Sequence, residues 1–235
     1  MSRPCETRRG PGRHRSGLFL GLAGLALLGC ARDEEAWRRE LAAPDPFVRG
    51  LAAIGLALQA PRQAGPALPE LLETIDRPDL GLERAATRAL AEAGRFHLPV
   101  LLERLVGDET LTLQRRRALQ EALVAAGPEA APPVVACLRG PGRRQVGTLG
   151  EVLLALGEPA VAPLVELLAA EPDVRLKSYA AFLLAGIGPR ARAALPALRV
   201  AAEASDPDLR RMASEAIASL EGRPWQVPAV GGAAR

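Results

Sequence analysis

Three kinds of residue recur along this chain with a common period of about 32 residues, within the range of known repeat architectures. The first series consists of glycines that close helical stretches: Gly94, Gly127, Gly157 and Gly188. The second consists of prolines near the start of an apolar run: Pro69, Pro99, Pro133, Pro163 and Pro196. The third consists of aspartates that break each unit: Asp45, Asp79, Asp108, Asp173 and Asp206. The chain is therefore predicted to consist of stacked copies of one structural unit.

Each unit has the pattern of two short helices. In residues 157–188, Pro163 suits the first turn of one helix, where a missing N–H costs little. Asp173 is suited to cap the second helix, and Gly188 is suited to end it with a left-handed turn. Aromatic residues make up only 3% of the chain, so Ala and Leu supply most of the apolar surface, which favours close-packed helices. The fold class predicted is all-α.

These units resemble the HEAT repeat family, in particular its short PBS-lyase HEAT-like form. The motifs that carry the resemblance are Gly157-Glu-Pro-Ala160, Pro163-Leu-Val165, Asp173-Val-Arg175 and Asp206-Pro-Asp-Leu-Arg210, with weaker copies at 65–69 and 188–196. The resemblance covers 33–221 and implies a right-handed α-solenoid of about six helix pairs. The first unit is irregular, with helices expected over 33–41 and 47–59. The fourth departs most around 140–150, where we expect a looser turn that is either a hinge or partner contact, or only a degenerate repeat.

Residues 1–29 have the three parts of a secretory leader. A basic segment, Arg3 to Arg15, precedes an apolar run, Leu18 to Leu28, which is too short for a stable span of a bilayer. The segment Leu27-Leu28-Gly29-Cys30 resembles the lipobox of bacterial lipoproteins, which implies cleavage before Cys30 and lipidation of that cysteine. The alternatives are an uncleaved anchor, or an ordinary leader with a chance cysteine.

Four parts of the chain are therefore expected: a leader (1–29), a lipidated N-terminus (30–32), the solenoid (33–221) and a disordered tail (222–235). In the tail, Trp225 either docks onto the last helix pair or stays free. The resemblance also implies attachment in the bacterial envelope, and Ala31 after the cysteine favours the outer membrane.

The chain carries a net charge of +3, but five arginines and one acid lie in the leader, which leaves the body with −1. A nucleic-acid groove normally needs a marked basic excess, so no nucleic-acid partner is expected. Cys5 lies in the leader; if Cys30 is acylated, Cys137 has no partner for a disulfide.

The body offers little material for catalysis. His97 is its one histidine, which excludes a HExxH zinc motif, and its place beside Pro99 favours a capping or surface role. Cys137, within an apolar helix, is interpreted as a small core residue. We predict no catalytic, cofactor or metal site, and no enzyme activity.

Basic residues recur early in the second helices: Arg49, Arg84, Arg116, Lys177 and Arg211. One interpretation is a structural ladder in which they pair with the turn aspartates. The other is a positive stripe on the inner face that recruits an acidic partner. Its candidate residues include the dense triplet at 115–117: Arg84, Arg115, Arg116, Arg117, Lys177 and Arg211.

These observations predict a membrane-anchored scaffold for protein–protein interaction in the bacterial envelope. Two other functions stay open. One is an enzyme or enzyme subunit of the chromophore-lyase kind, which would work in the cytoplasm. The other is a purely structural envelope component that associates with itself.

Overall fold

The computed structural model describes residues 33–140 and 144–222, and the regular structure in these ranges is entirely helical. The α-helices form six consecutive pairs: α1 Glu34–Glu40 and α2 Pro46–Gln59; α3 Leu68–Ile75 and α4 Glu83–Gly94; α5 Leu98–Gly107 and α6 Leu113–Ala125; α7 Ala131–Arg139 and α8 Val146–Leu156; α9 Val161–Ala170 and α10 Val174–Ile187; α11 Leu195–Ala201 and α12 Pro207–Leu220. This confirms the all-α solenoid of six units. The right-handed sense of the stack stays a prediction.

The prolines of the repeat occupy the first turn of every first helix from the second unit onward. Pro69, Pro99 and Pro196 are the second residues of α3, α5 and α11, while Pro133 and Pro163 are the third residues of α7 and α9. The first turn of a helix has amide groups without intrahelical partners, so proline loses no hydrogen bond there. The proline series therefore marks where each unit begins.

The aspartates of the repeat lie in the breaks inside the units, but only some of them cap a helix. Asp45, Asp173 and Asp206 each accept a hydrogen bond from a first-turn amide of the second helix that follows. Thr112 has this role for α6, where its hydroxyl accepts from the Arg115 amide. Asp79 lies within a short 3-10 helix, Pro78–Leu80, and does not cap α4.

Each second helix packs against the second helix of the next unit, in series from α2 to α12. Small side chains permit this close approach: Ala86, Ala89 and Ala93 of α4 are fully buried, as are Ala180 and Ala213 of later units. The first helices form a second row whose contacts along the stack are sparser. The second helices are therefore the more closely packed row of the stack. Their solvent-facing surface is called the second-helix face below.

Several predictions fall on residues that the structure does not describe. The leader, Cys30, Trp225 and the tail after Gly222 lie outside the described residues, as do 141–143 of the turn between α7 and α8. Over the ranges that are described, no helix has both the length and the apolar character that crossing a membrane requires.

Candidate functional site

A groove lies on the second-helix face, between α4 and α6. It has a volume of about 1270 Å³ and is called the arginine groove below. Its charged and polar lining residues come from both helices and from the turns before them: Asp76, Glu83, Arg84, Thr87, Arg88, Thr112, Gln114, Arg117 and Glu121. Ala91 and Ala118 lie between these side chains, and because they are short they leave the groove open.

Three arginines of this groove have no partner among the described residues. Arg84, Arg88 and Arg117 are exposed, and none of them forms an ion pair or a side-chain hydrogen bond in the ranges 33–140 and 144–222. Arg84 and Arg88 stand one turn apart on α4, where two like charges destabilise a helix by about 0.2–0.5 kcal/mol. Charges that are unpaired and mutually repulsive do not serve the stability of the fold. They are available for a ligand.

One side of the groove is fixed by an internal network. The Arg115 Nε forms an ion pair with the Asp76 carboxylate at 2.6 Å and donates a hydrogen bond to the Leu72 carbonyl at 3.0 Å. The Thr112 hydroxyl donates to the other Asp76 oxygen at 2.6 Å. Asp76 is therefore neutralised, and its partners tie the start of α6 to the end of α3. Arg115, a predicted partner-binding residue, is thus engaged within the fold.

The remaining predicted residues divide between free and paired groups. Arg116 and Lys177 are half-buried and form no ion pair with the described residues. Arg211 pairs within its own helix, with Asp208 at 3.7 Å and Glu215 at 3.1 Å. The sequence candidates that the structure brings to one groove are therefore Arg84 and Arg117.

The predicted ladder between the basic column and the turn aspartates is wrong for the described residues. Arg49 pairs instead with Glu70 of the next unit at 3.1 Å and donates to the carbonyls of Ala43 and Pro44. Arg210 makes the same kind of bonds at the other end of the stack, to the Ala204 and Ser205 carbonyls. The physical reason is that Asp45 and Asp206 direct a carboxylate oxygen to the amides of their own helices.

Sequence reasoning missed Arg88 and Glu121 of the groove. Both lie one helical turn beyond a predicted residue, Arg84 on α4 and Arg117 on α6, so the spacing of four residues was the available indication. Only the early basic residue of each helix was selected from the sequence, although the exposed stripe of a helix continues along its length.

A second, smaller groove adjoins the first on the second-helix face, between α6 and α8. It has a volume of about 480 Å³ and is called the apolar groove below. Its lining consists of aliphatic side chains flanked by two carboxylates and an amide: Gln120, Glu121, Val124, Ala125, Glu151, Val152 and Ala155. Glu121 belongs to both grooves. The Gln120 amide donates to Glu151 at 2.6 Å and to the Thr148 carbonyl, which holds one side of this groove in place.

The reactive side chains of the body serve packing. The Nε2 of His97 lies 3.1 Å from the Pro61 carbonyl and joins the connections between neighbouring units. Cys137 is half-buried, and burial raises the pKa of its thiol. The Tyr179 hydroxyl donates to the Val146 carbonyl at 2.9 Å, and burial together with the Glu151 carboxylate raises the pKa of that phenol. Within the described ranges there is no group of three or more His, Cys, Asp or Glu side chains placed to hold a metal ion.

These features define the class of the molecule: an α-solenoid of stacked helix pairs with two grooves on its second-helix face. Residues 161–234 match the family described as HEAT repeats, and the match begins at the first residue of α9. This match shows a similarity to HEAT repeats over that part of the chain. No curated protein matches the chain. One solved structure, the crystal structure of an engineered protein, matches with 20% sequence identity and a TM-score of 0.34, over 83% of this chain and 98% of that chain.

Proposed function

We propose that the protein is a lipid-anchored scaffold of the bacterial envelope that binds another protein through its second-helix face. The observation that carries the scaffold part is the arginine groove, where Arg84, Arg88 and Arg117 project from a packed helical framework without partners among the described residues. Helical repeats present an extended surface of this kind, and proteins built from them use it for binding. The HEAT repeat match over 161–234 supports the same conclusion.

The anchor part of the proposal rests on the sequence around Cys30. A basic segment, a short apolar run and a lipobox-like tetrapeptide occur there in order. Asp33 caps α1 only three residues after Cys30, so acyl chains on that cysteine would hold the solenoid close to a membrane surface. The expected location is the periplasmic face of the envelope, with the outer membrane favoured over the inner one.

Metabolic labelling with a radioactive fatty acid tests the anchor. We expect label in the membrane-associated wild-type protein and none in a Cys30→Ser variant. Cys137→Ser is the matched control, because it removes a half-buried thiol of the body and should leave the label unchanged. Label that persists in Cys30→Ser, or wild-type protein that carries none, would refute the anchor.

Photo-crosslinking in the native host tests the scaffold. A photoreactive amino acid at Gln114, which lines the arginine groove, is expected to capture a reproducible protein partner. The same amino acid at Glu166, an exposed residue of first helix α9, serves as the control and is expected to capture none. A partner captured equally at both positions, or at neither, would contradict binding through the second-helix face.

The proposal assigns the chain no catalytic role. The most reactive groups of its body support this assignment, since His97 bonds to a backbone carbonyl and burial disfavours the thiolate of Cys137. A Cys30→Ser protein that stays in the cytosol and attaches a chromophore to a protein would overturn it.

A further inference from the structure

We propose that the arginine groove binds an acidic peptide segment of the partner protein, with peptide carboxylates paired to Arg84, Arg88 and Arg117. This inference rests on the proposed scaffold function and names the chemistry of its partner. The three guanidinium groups line one groove from two helices and have no ion pair among the described residues. A guanidinium group donates two parallel hydrogen bonds to a carboxylate, so each arginine is a specific binding site for the side chain of Asp or Glu.

The spacing of the arginines fits a short peptide. Arg84 and Arg88 are four residues apart on α4, which places their Cβ atoms about 5–6 Å from each other. In an extended peptide, side chains two residues apart lie on the same side and are separated by about 6–7 Å. Acidic residues at alternate positions of an extended segment therefore match this pair, and Arg117 faces the same segment from α6. Thr87 and Gln114 supply further hydrogen-bonding groups along the groove.

The acidic groups of the groove favour a peptide over a uniform polyanion such as nucleic acid. Glu83 and Glu121 line the same groove, and neither is paired with a described residue. An evenly charged phosphate backbone would be repelled by them, whereas a peptide carries acidic residues only where an arginine faces it. Beyond Glu121 the apolar groove offers Val124 and Ala155 to an aliphatic side chain of the same peptide. The net charge of −1 on the body gives nucleic acid no general attraction.

A second copy of this chain is a poorer occupant. The densest acidic run of the described residues is Asp33, Glu34 and Glu35 at the start of α1. Asp33 accepts a hydrogen bond from the Ala36 amide, and Glu34 pairs with Arg38 at 2.6 Å. Two of the three carboxylates are thus already engaged within their own helix. A partner with unpaired acidic residues can bind the groove without first breaking contacts of its own.

Fluorescence anisotropy with the purified full-length chain tests the inference. The probe is a labelled peptide of alternating Glu and Ser, and its control replaces every Glu with Gln. We expect the Glu peptide to bind at least about tenfold more tightly than the Gln peptide, and its affinity to fall as salt is raised. The triple variant Arg84→Gln, Arg88→Gln, Arg117→Gln should lose at least about tenfold in affinity.

The matched control is a triple variant that loses the same charge elsewhere: Arg104→Gln, Arg175→Gln and Arg199→Gln, at three exposed positions without ion pairs among the described residues. It should bind the Glu peptide within about twofold of wild type, since distant exposed charges are screened. Circular dichroism should show that both triple variants are folded. Equal loss in both would overturn the inference, because the attraction would then follow total charge rather than the groove.

Two further outcomes would assign the groove to another ligand. Tighter binding of a short DNA duplex than of the Glu peptide would overturn the inference in favour of a phosphate backbone. Wild-type self-association in sedimentation that the groove variant abolishes would overturn it in favour of a second copy.

The crosslinking and peptide-binding results together separate this inference from the scaffold function that it builds on. If the crosslinking partner is captured equally by wild type and by the groove variant, the scaffold stands and the groove inference fails. If the Glu peptide binds as expected but no partner is captured in the host, the groove inference stands and the scaffold proposal fails.

Discussion

Replacement of Gly150 by alanine should destabilise the fold, although alanine is the better helix former. Gly150 lies inside α8, and a Cβ atom there would stand 2.0 Å from the Tyr179 hydroxyl and 3.2 Å from a methyl group of Leu183. The Tyr179 ring cannot simply swing away, because it stacks on Phe182 with centroids 5.8 Å apart and its hydroxyl donates to the Val146 carbonyl. The absence of a Cβ atom at Gly150 therefore leaves the space that the Tyr179 side chain of the next unit occupies.

The magnitude follows from three contributions. Glycine to alanine in a helix gains about 1 kcal/mol from helix propensity. Overpacking costs about 1–3 kcal/mol, and displacement of Tyr179 forfeits a hydrogen bond worth about 1 kcal/mol. The expected net loss is about 1–3 kcal/mol, which lowers the melting temperature by roughly 3–10 °C in a chain of this size. Thermal unfolding followed by circular dichroism measures it.

Two variants make this reasoning falsifiable. At Gly147, also in α8, a Cβ atom would meet nothing within 4 Å, so Gly147→Ala should be neutral or stabilising by up to about 1 kcal/mol. In a Tyr179→Phe background the hydroxyl is absent, so Gly150→Ala should cost at least about 1 kcal/mol less than it does in wild type. A Gly150→Ala protein as stable as wild type would refute this account of the Gly150–Tyr179 contact. A loss of stability from Gly150→Ala that Tyr179→Phe leaves unchanged would refute it as well.

Three further changes test other parts of the structure. Arg115→Gln should destabilise by about 1–2 kcal/mol in urea unfolding, because it leaves the Asp76 carboxylate without its ion-pair partner, whereas Arg116→Gln should change little. Asp206→Ala should cost about 1 kcal/mol as a lost helix cap, while Asp208→Ala, at an exposed carboxylate, serves as the near-neutral control; equal effects would contradict the capping role. Iodoacetamide should alkylate Cys137 more slowly than a free thiol at neutral pH, since burial raises its pKa, and the rate should rise at higher pH; site-resolved mass spectrometry that shows fast modification at neutral pH would contradict this.

The repeat and its boundaries were predictable because they depend on local chemistry. Asp173 caps α10, and Gly157 and Gly188 follow α8 and α10 with φ of +69° and +70°, a region that residues with a Cβ rarely adopt. These requirements arise within a few residues of sequence. Gly94, which stands in the same series, has a different cause: it is still helical, and a Cβ atom there would lie 2.9 Å from a methyl group of Leu101. Only the packing of neighbouring helices distinguishes the two uses of glycine.

The choice of ion-pair partners was not predictable for the same reason. Sequence spacing placed basic residues and turn aspartates at similar heights in every unit and so suggested that they pair. The carboxylate of Asp45, however, is within reach of its own helix amide at 2.9 Å, which leaves Arg49 to pair with Glu70 across the unit boundary. Local capping comes first because it needs no approach of distant segments. An arginine then pairs with an acidic side chain that a neighbouring unit supplies, as Arg49 does with Glu70.

The same choice of partners leaves three arginines of the arginine groove without an ion pair among the described residues. At the start of α6, Arg115 forms an ion pair with Asp76 of the preceding unit. Arg117, two residues later on the same helix, lines the arginine groove instead. On α4 the short 3-10 helix replaces the capping aspartate, and Arg84 and Arg88 face the same space. The neighbouring glutamates Glu83 and Glu121 lie close enough to line that space but bind neither arginine of α4. The arginine groove thus holds three guanidinium groups that pair with no acid among the described residues, and a ligand with carboxylates is the chemistry that they match.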